Sequence, residues 1–132
     1  MTAATATRFV ELVADYEGLV GLLIQQRQQR LTLAESRAEM LVDMARVERA
    51  VLAEIETQWV EENRKPNNEA LRLAERDIRL ALNVQYGAGE TEVKLATRGV
   101  GMLDAEIESA IYRLSLLKRR MDFEIATERR DA

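Results

Sequence analysis

The stretch ATRGVGMLDAEIESAIYRLSLLKRRM, residues 96–121, decides the fold of this chain. Its apolar positions Ala96, Val100, Leu103, Ile107, Ala110, Leu114, Leu117 and Met121 alternate steps of four and three residues throughout. That spacing lays them along one stripe of an α-helix, and it is the heptad pattern of helices that pack side by side. Gly99 and Gly101 fall off this seam. They either loosen the start of the helix or let another backbone approach closely.

The same period occurs in the first half of the chain. Phe9, Leu12, Tyr16, Leu19 and Leu23 form one series. Leu31, Ala34, Ala38, Leu41, Ala45, Glu48, Leu52, Ile55 and Trp59 form a second, in which only Glu48 is out of character. Met44 and Val51 widen that second stripe, so this helix has more than one neighbour to pack against. Between the two series lies Gln25-Gln26-Arg27-Gln28-Gln29-Arg30, polar on every face. It contains neither Gly nor Pro, and Gln and Arg are good helix formers, which favours an all-round exposed helix over a turn. The clearest boundary is Asn63-Arg64-Lys65-Pro66-Asn67-Asn68, where Pro66 stops one helix and Asn67 or Asn68 can cap the next. Leu71, Ala74, Ile78, Ala81 and Leu82 then mark the face of a shorter helix, and Gly87-Ala88-Gly89 reads as a second boundary. The expected helical segments are therefore about 8–24, 31–62, 68–86 and 92–129 of one domain, 1–132, with a turn at 63–68. The first two can be fused.

Composition agrees. Of 132 residues, 47% are hydrophobic and only 5% aromatic, with eighteen Ala, seventeen Glu and sixteen Arg against a single proline. Such a chain is all-α, and the turn at Pro66 makes a long-helix antiparallel hairpin or bundle with coiled-coil packing its simplest architecture. A thin hairpin buries much less than the roughly two-thirds of surface that a globule of this size hides. Self-association would supply the missing contacts, so a homo-oligomer is expected. Its seam is placed at Leu41, Leu52, Ile55, Trp59, Val100, Leu103, Ile107, Leu114 and Leu117.

Chemistry is thin. With no Cys and no His, zinc sites, disulfides, thiol nucleophiles and imidazole acid–base catalysis are excluded. Glu35, Glu39 and Asp43 share one helix face, and Asp104 and Glu108 share another, but neither set falls on a seam and the chain has no Glu-x-x-Glu signature. Solvated faces balanced by arginines are the better reading. Gly87–Thr91 lacks the lysine of a phosphate loop and reads as a turn. Gly18 and Gly21 suit close helix packing. No catalytic residue, metal, cofactor or small-molecule substrate is expected.

The basic residues are the remaining candidates. Arg113, Lys118, Arg119, Arg120, Arg129 and Arg130 cluster near one end, with Arg27 and Arg30 in the glutamine-rich segment. Arg120 can pair with Glu124 and Lys118 with Asp122, and cations suit a helix C-terminus, which accounts for most of the cluster. Phosphate contact is the alternative role. The net charge of −4 argues against strong non-specific DNA binding by the whole surface. The N-terminus lacks the basic start and apolar core of a secretory signal, and no apolar run approaches membrane-spanning length, so a cytoplasmic location is expected.

Leu103–Glu108, Tyr112–Leu114 and Leu117–Phe123 together resemble the C-terminal coiled-coil helix of small helical proteins encoded by tailed phages and other mobile elements. Such proteins are often encoded near replication or recombination genes. The resemblance is confined to the last third and carries no catalytic residue with it. It implies an accessory protein acting through partners or DNA. The sequence thus points to a non-enzymatic adaptor or scaffold that binds itself and another protein, with a nucleic-acid-binding accessory protein of replication or recombination as the alternative.

Overall fold

Capping residues mark both ends of the first long helix and the start of the second. The computed structural model describes residues 2–63 and 69–131, with the side chain of Asp131 excepted. Three helices account for nearly all of them: α1 (Ala3–Glu61), α2 (Glu69–Leu82) and α3 (Val84–Asp131). Thr2 caps α1, its hydroxyl accepting from the Thr5 amide at 3.2 Å, so the helix begins several residues earlier than the apolar series suggests. At the other end Asn63 adopts φ 54°, the left-handed conformation in which asparagine commonly closes a helix. Residues 64–68, where the Pro66 turn and the Asn67 or Asn68 cap are expected, lie outside the described residues.

The second boundary falls at Asn83, not at Gly87–Gly89. The Asn83 side chain accepts from the Tyr86 amide at 2.9 Å, and its carbonyl accepts from the Gly87 amide at 3.0 Å. One capping residue therefore ends α2 and starts α3, and Gly87 and Gly89 are helical with negative φ. Gly89 has a packing reason to be glycine. A Cβ there would lie 2.8 Å from Cγ of Met44, so the missing side chain lets α1 and α3 come close.

The chain divides into two compact units, residues 1–32 with 99–132, and residues 33–98. In the first, α1 and α3 run antiparallel: Gln26 meets Glu106, and Arg30 meets Asp104. Leu12, Leu19, Leu23 and Ala110 are buried between them, with Leu103, Ile107, Leu114, Leu117 and Met121 half-buried along the same stripe of α3. In the second unit α1 and α3 are again antiparallel, with Arg37 Nε donating to Thr97 Oγ1 at 2.7 Å. Its core is Val51, Ile55, Trp59 and Leu80, flanked by Val47 and Tyr86. The all-α class and the antiparallel packing of α1 on α3 thus hold in each unit. No described helix is long and apolar enough to cross a membrane.

The register of α1 differs from expectation by one residue over much of the second unit. The stripe toward α3 runs through Arg37, Met40, Met44, Val47 and Val51 before reaching Ile55. The series Ala38, Leu41, Ala45, Glu48 and Leu52 lies one position further round, and Leu41, offered as a seam residue, is exposed. Leu31, where that series was started, is 58% exposed. The physical reason lies in the Gln25–Arg30 segment. It is helical but not exposed on all sides, because Gln26 is buried and Arg30 half-buried on the α3 side. Gln26 and Arg30 continue the 3/4 alternation of Leu12, Leu19 and Leu23 as polar steps. A count that skips polar residues restarts one residue late.

The packing of α2 is inverted relative to expectation. Leu71, Ile78 and Leu82 are 59%, 60% and 78% exposed, and Ala74 and Ala81 are exposed with them. Leu80 and the charged residues Arg72, Glu75, Arg76 and Arg79 face α1 instead. Trp59 Nε1 donates to Glu75 Oε2 at 2.9 Å, and Arg79 donates to Glu75 Oε1 at 3.0 Å and to Gln58. Arg76 lies 3.5 Å from Glu48, and the Arg72 guanidinium sits 5.7 Å from the centre of the Trp59 ring. Glu48, out of character in an apolar series, is there to receive α2. A buried indole N–H needs an acceptor, and Glu75 supplies it only if the polar side of α2 turns inward.

Ile55, at 1% exposure, is the most enclosed side chain of this core. Ile55→Ala is expected to destabilise the protein by about 2–5 kcal/mol, measured as a lowered urea midpoint.

Candidate functional site

Two surfaces stand apart from the packed seams, one in each unit. The first is a groove beside the α1–α3 pair of the first unit, with a volume of about 650 Å³. Ala14, Asp15, Gly18, Leu19 and Leu22 of α1 form one wall, and Arg113, Leu116, Leu117 and Arg120 of α3 form the other. The spacings explain this. In α1, residues 15, 18 and 22 lie beside the Leu12–Leu19–Leu23 seam, and in α3, residues 113, 116 and 120 lie beside Ala110–Leu114–Leu117. An adjoining hollow shares Leu116 and Arg120 and adds Arg119, Phe123 and Glu124.

Gly18 sits on the open floor of the groove. A Cβ at Gly18 would meet nothing within 4 Å, nor would one at Gly21. These two glycines therefore do not serve a close helix crossing within the unit, as their spacing suggests. Leu22 and Leu116 are exposed along the groove, and Phe123 beyond them is more so. Among the described residues neither the Arg120–Glu124 nor the Lys118–Asp122 pair forms, and Arg113, Arg119 and Arg120 enter no ion pair.

The proposed nucleic-acid residues are thus only partly gathered. Arg113 and Arg120 share the groove, and Arg119 joins them in the adjoining hollow. Lys118 is exposed outside it, and Arg129 and Arg130 are exposed in the last turn of α3, where they complement the helix dipole. Arg27 is exposed. Arg30 is committed elsewhere: Nε donates to Asp104 Oδ1 and Nη2 to Asp104 Oδ2 at 3.5 Å. The hydrogen bond that Arg30 donates to Asp104, and then the charge of that carboxylate, raise the Arg30 pKa. Of the seam residues, Ile55 and Trp59 are buried in the core of the second unit, Leu52, Val100, Leu103, Ile107, Leu114 and Leu117 are half-buried, and Leu41 is exposed.

The second surface is the outward face of α2, formed by Leu71, Ile78 and Leu82 and followed by exposed Val84 at the start of α3. Its apolar spacing was visible in sequence, but a hydrophobic stripe alone does not say whether it is covered. Among the described residues no group of three acidic side chains is placed to hold a metal ion. Asp104 is tied to Arg30, and Asp43 pairs with Arg46 at 3.4 Å.

No family model, curated protein or solved structure matches the chain.

Gln26 is the polar group most exposed to the energetics of burial. Its amide nitrogen donates to Glu106 at 3.5 Å, a long contact, and its buried Oε1 accepts no hydrogen bond among the described residues. Gln26→Leu is therefore expected to raise stability by about 1 kcal/mol, read as a higher urea midpoint, since a buried acceptor without a partner is costly.

Proposed function

We propose that this protein is a non-enzymatic, cytoplasmic helical adaptor or scaffold that associates with copies of itself and holds another protein. The outward apolar face of α2 carries this reading. Leu71, Ile78 and Leu82 align on one side of a 14-residue helix and point away from its own core. Burying such a side chain from full exposure is worth roughly 1.5–3 kcal/mol, so an uncovered row of three is a standing driving force for association. Aligned exposed apolar side chains rimmed by polar ones are the usual material of interaction sites. Most of the seam residues named from sequence are buried or half-buried, so this reading sets self-association on the α2 face instead.

The measurement is molar mass in solution by sedimentation and light scattering. The wild type is expected to exceed the single-chain 15.0 kDa, and Ile78→Glu with Leu82→Glu is expected to return it to that mass with helix content unchanged. Both residues are exposed, so the change spares the core. A wild type that stays at single-chain mass at high micromolar concentration overturns self-association.

A second reading is favoured by the unpaired Arg113, Arg119 and Arg120: a nucleic-acid-binding accessory protein of replication or recombination, as the phage-like C-terminal helix implies. Anisotropy with labelled single- and double-stranded DNA checks it. Saturable binding should weaken with salt and vanish on charge reversal at Lys118, Arg119 and Arg120.

A further inference from the structure

We infer that the groove of the first unit is a docking site for an acidic amphipathic helix of a partner protein. The inference rests on the adaptor reading and names the chemistry of the second protein. Three observations carry it. The floor is apolar and open: Leu22 and Leu116 are exposed along it, and the space over Gly18 is empty enough for an incoming helix to lie close. The rim is cationic in a chain of net charge −4, with Arg113 and Arg120 unpaired and only Asp15 opposing them in the groove. The two arginines stand one heptad apart on the same helix, about 10.5 Å along its axis. A helix laid into the groove would present carboxylates at that same heptad spacing, with aliphatic residues between them toward Leu22 and Leu116.

Charge complementarity selects the occupant. An acidic helix neutralises the arginines and covers the leucines at once, as helix-in-groove recognition requires. A nucleic-acid strand would satisfy the arginines but leave the aliphatic floor against phosphate and sugar. A second copy of this face would bring like excess charge together.

The test uses the full-length protein and a fluorescein-labelled synthetic helix of about three heptads, long enough to be helical, with Leu and Ala on one face and Glu flanking them at heptad spacing. A version with Lys for Glu and an oligothymidylate of equal charge are the comparison probes. Saturable binding of the acidic peptide alone is expected. Arg113→Glu with Arg120→Glu should weaken it by at least about tenfold, and Gly18→Leu should abolish it by filling the floor.

Gly18→Leu adds a side chain where nothing stands in the way and replaces a helix-weakening glycine, so thermal stability should not fall. Leu116→Glu, at an exposed position, serves as the second blocking variant and should also abolish binding. Four results overturn the proposal: no binding of the acidic peptide, equal binding of the lysine peptide, binding that survives both blocking variants, or preferential capture of the oligothymidylate. Self-association lost in Gly18→Leu overturns it too, in favour of a second copy as occupant. Failure of the α2 variants to change mass bears only on self-association and leaves the groove result independent.

Discussion

The fit of α1 to α3 in the first unit depends on two polar steps in an otherwise apolar seam. Gln26 and Arg30 occupy positions where the 3/4 alternation calls for aliphatic residues, and each faces a carboxylate, Glu106 and Asp104. Polar groups at seam positions sacrifice stability, and the best-attested use of such groups is to fix the register of packed helices. The buried, unpaired Oε1 of Gln26 is the clearest sign of that sacrifice.

An analogous polar device organises the second unit. The Trp59 indole, Gln58 and Glu48 of α1 gather Arg72, Glu75, Arg76 and Arg79 of α2. An amphipathic helix normally buries its apolar face, and here the polar one is held inward by a connected set of hydrogen bonds and ion pairs. The consequence is a change in what the helix shows to solvent. Leu71, Ile78 and Leu82 are left outward, so a charged inner anchor lets α2 offer an apolar outer face without unfolding.

The groove and the α2 face differ in character, and the proposals assign them different tasks. The α2 face is aliphatic, which suits the proposed association between copies. The groove mixes an aliphatic floor with unpaired arginines, which suits the proposed acidic partner. Both are presented on helices that make polar contacts elsewhere in the same unit.

Periodicity was enough to read the helical class and the whole α3 stripe from Ala96 to Met121, because α3 keeps apolar residues at every seam step, and the expected turn at Pro66 supplied the antiparallel pairing. Where polar residues occupy the seam, the same reading slipped: Leu31 and Leu41 were placed inside, and the stripe lay one residue away. Of the groove, Arg113, Arg119 and Arg120 were legible as a basic cluster, but Gly18, Leu22 and Leu116 were not, since their significance lies in a neighbouring helix. Gly89 was read as a turn because a helical glycine makes sense only once Met44 is seen against it. The amino-acid order therefore determined the local secondary structure and the amphipathic stripes, which depend on residues three and four apart. Only the tertiary structure decided which stripe each helix turns inward, because that depends on hydrogen-bond and charge partners far away in the chain.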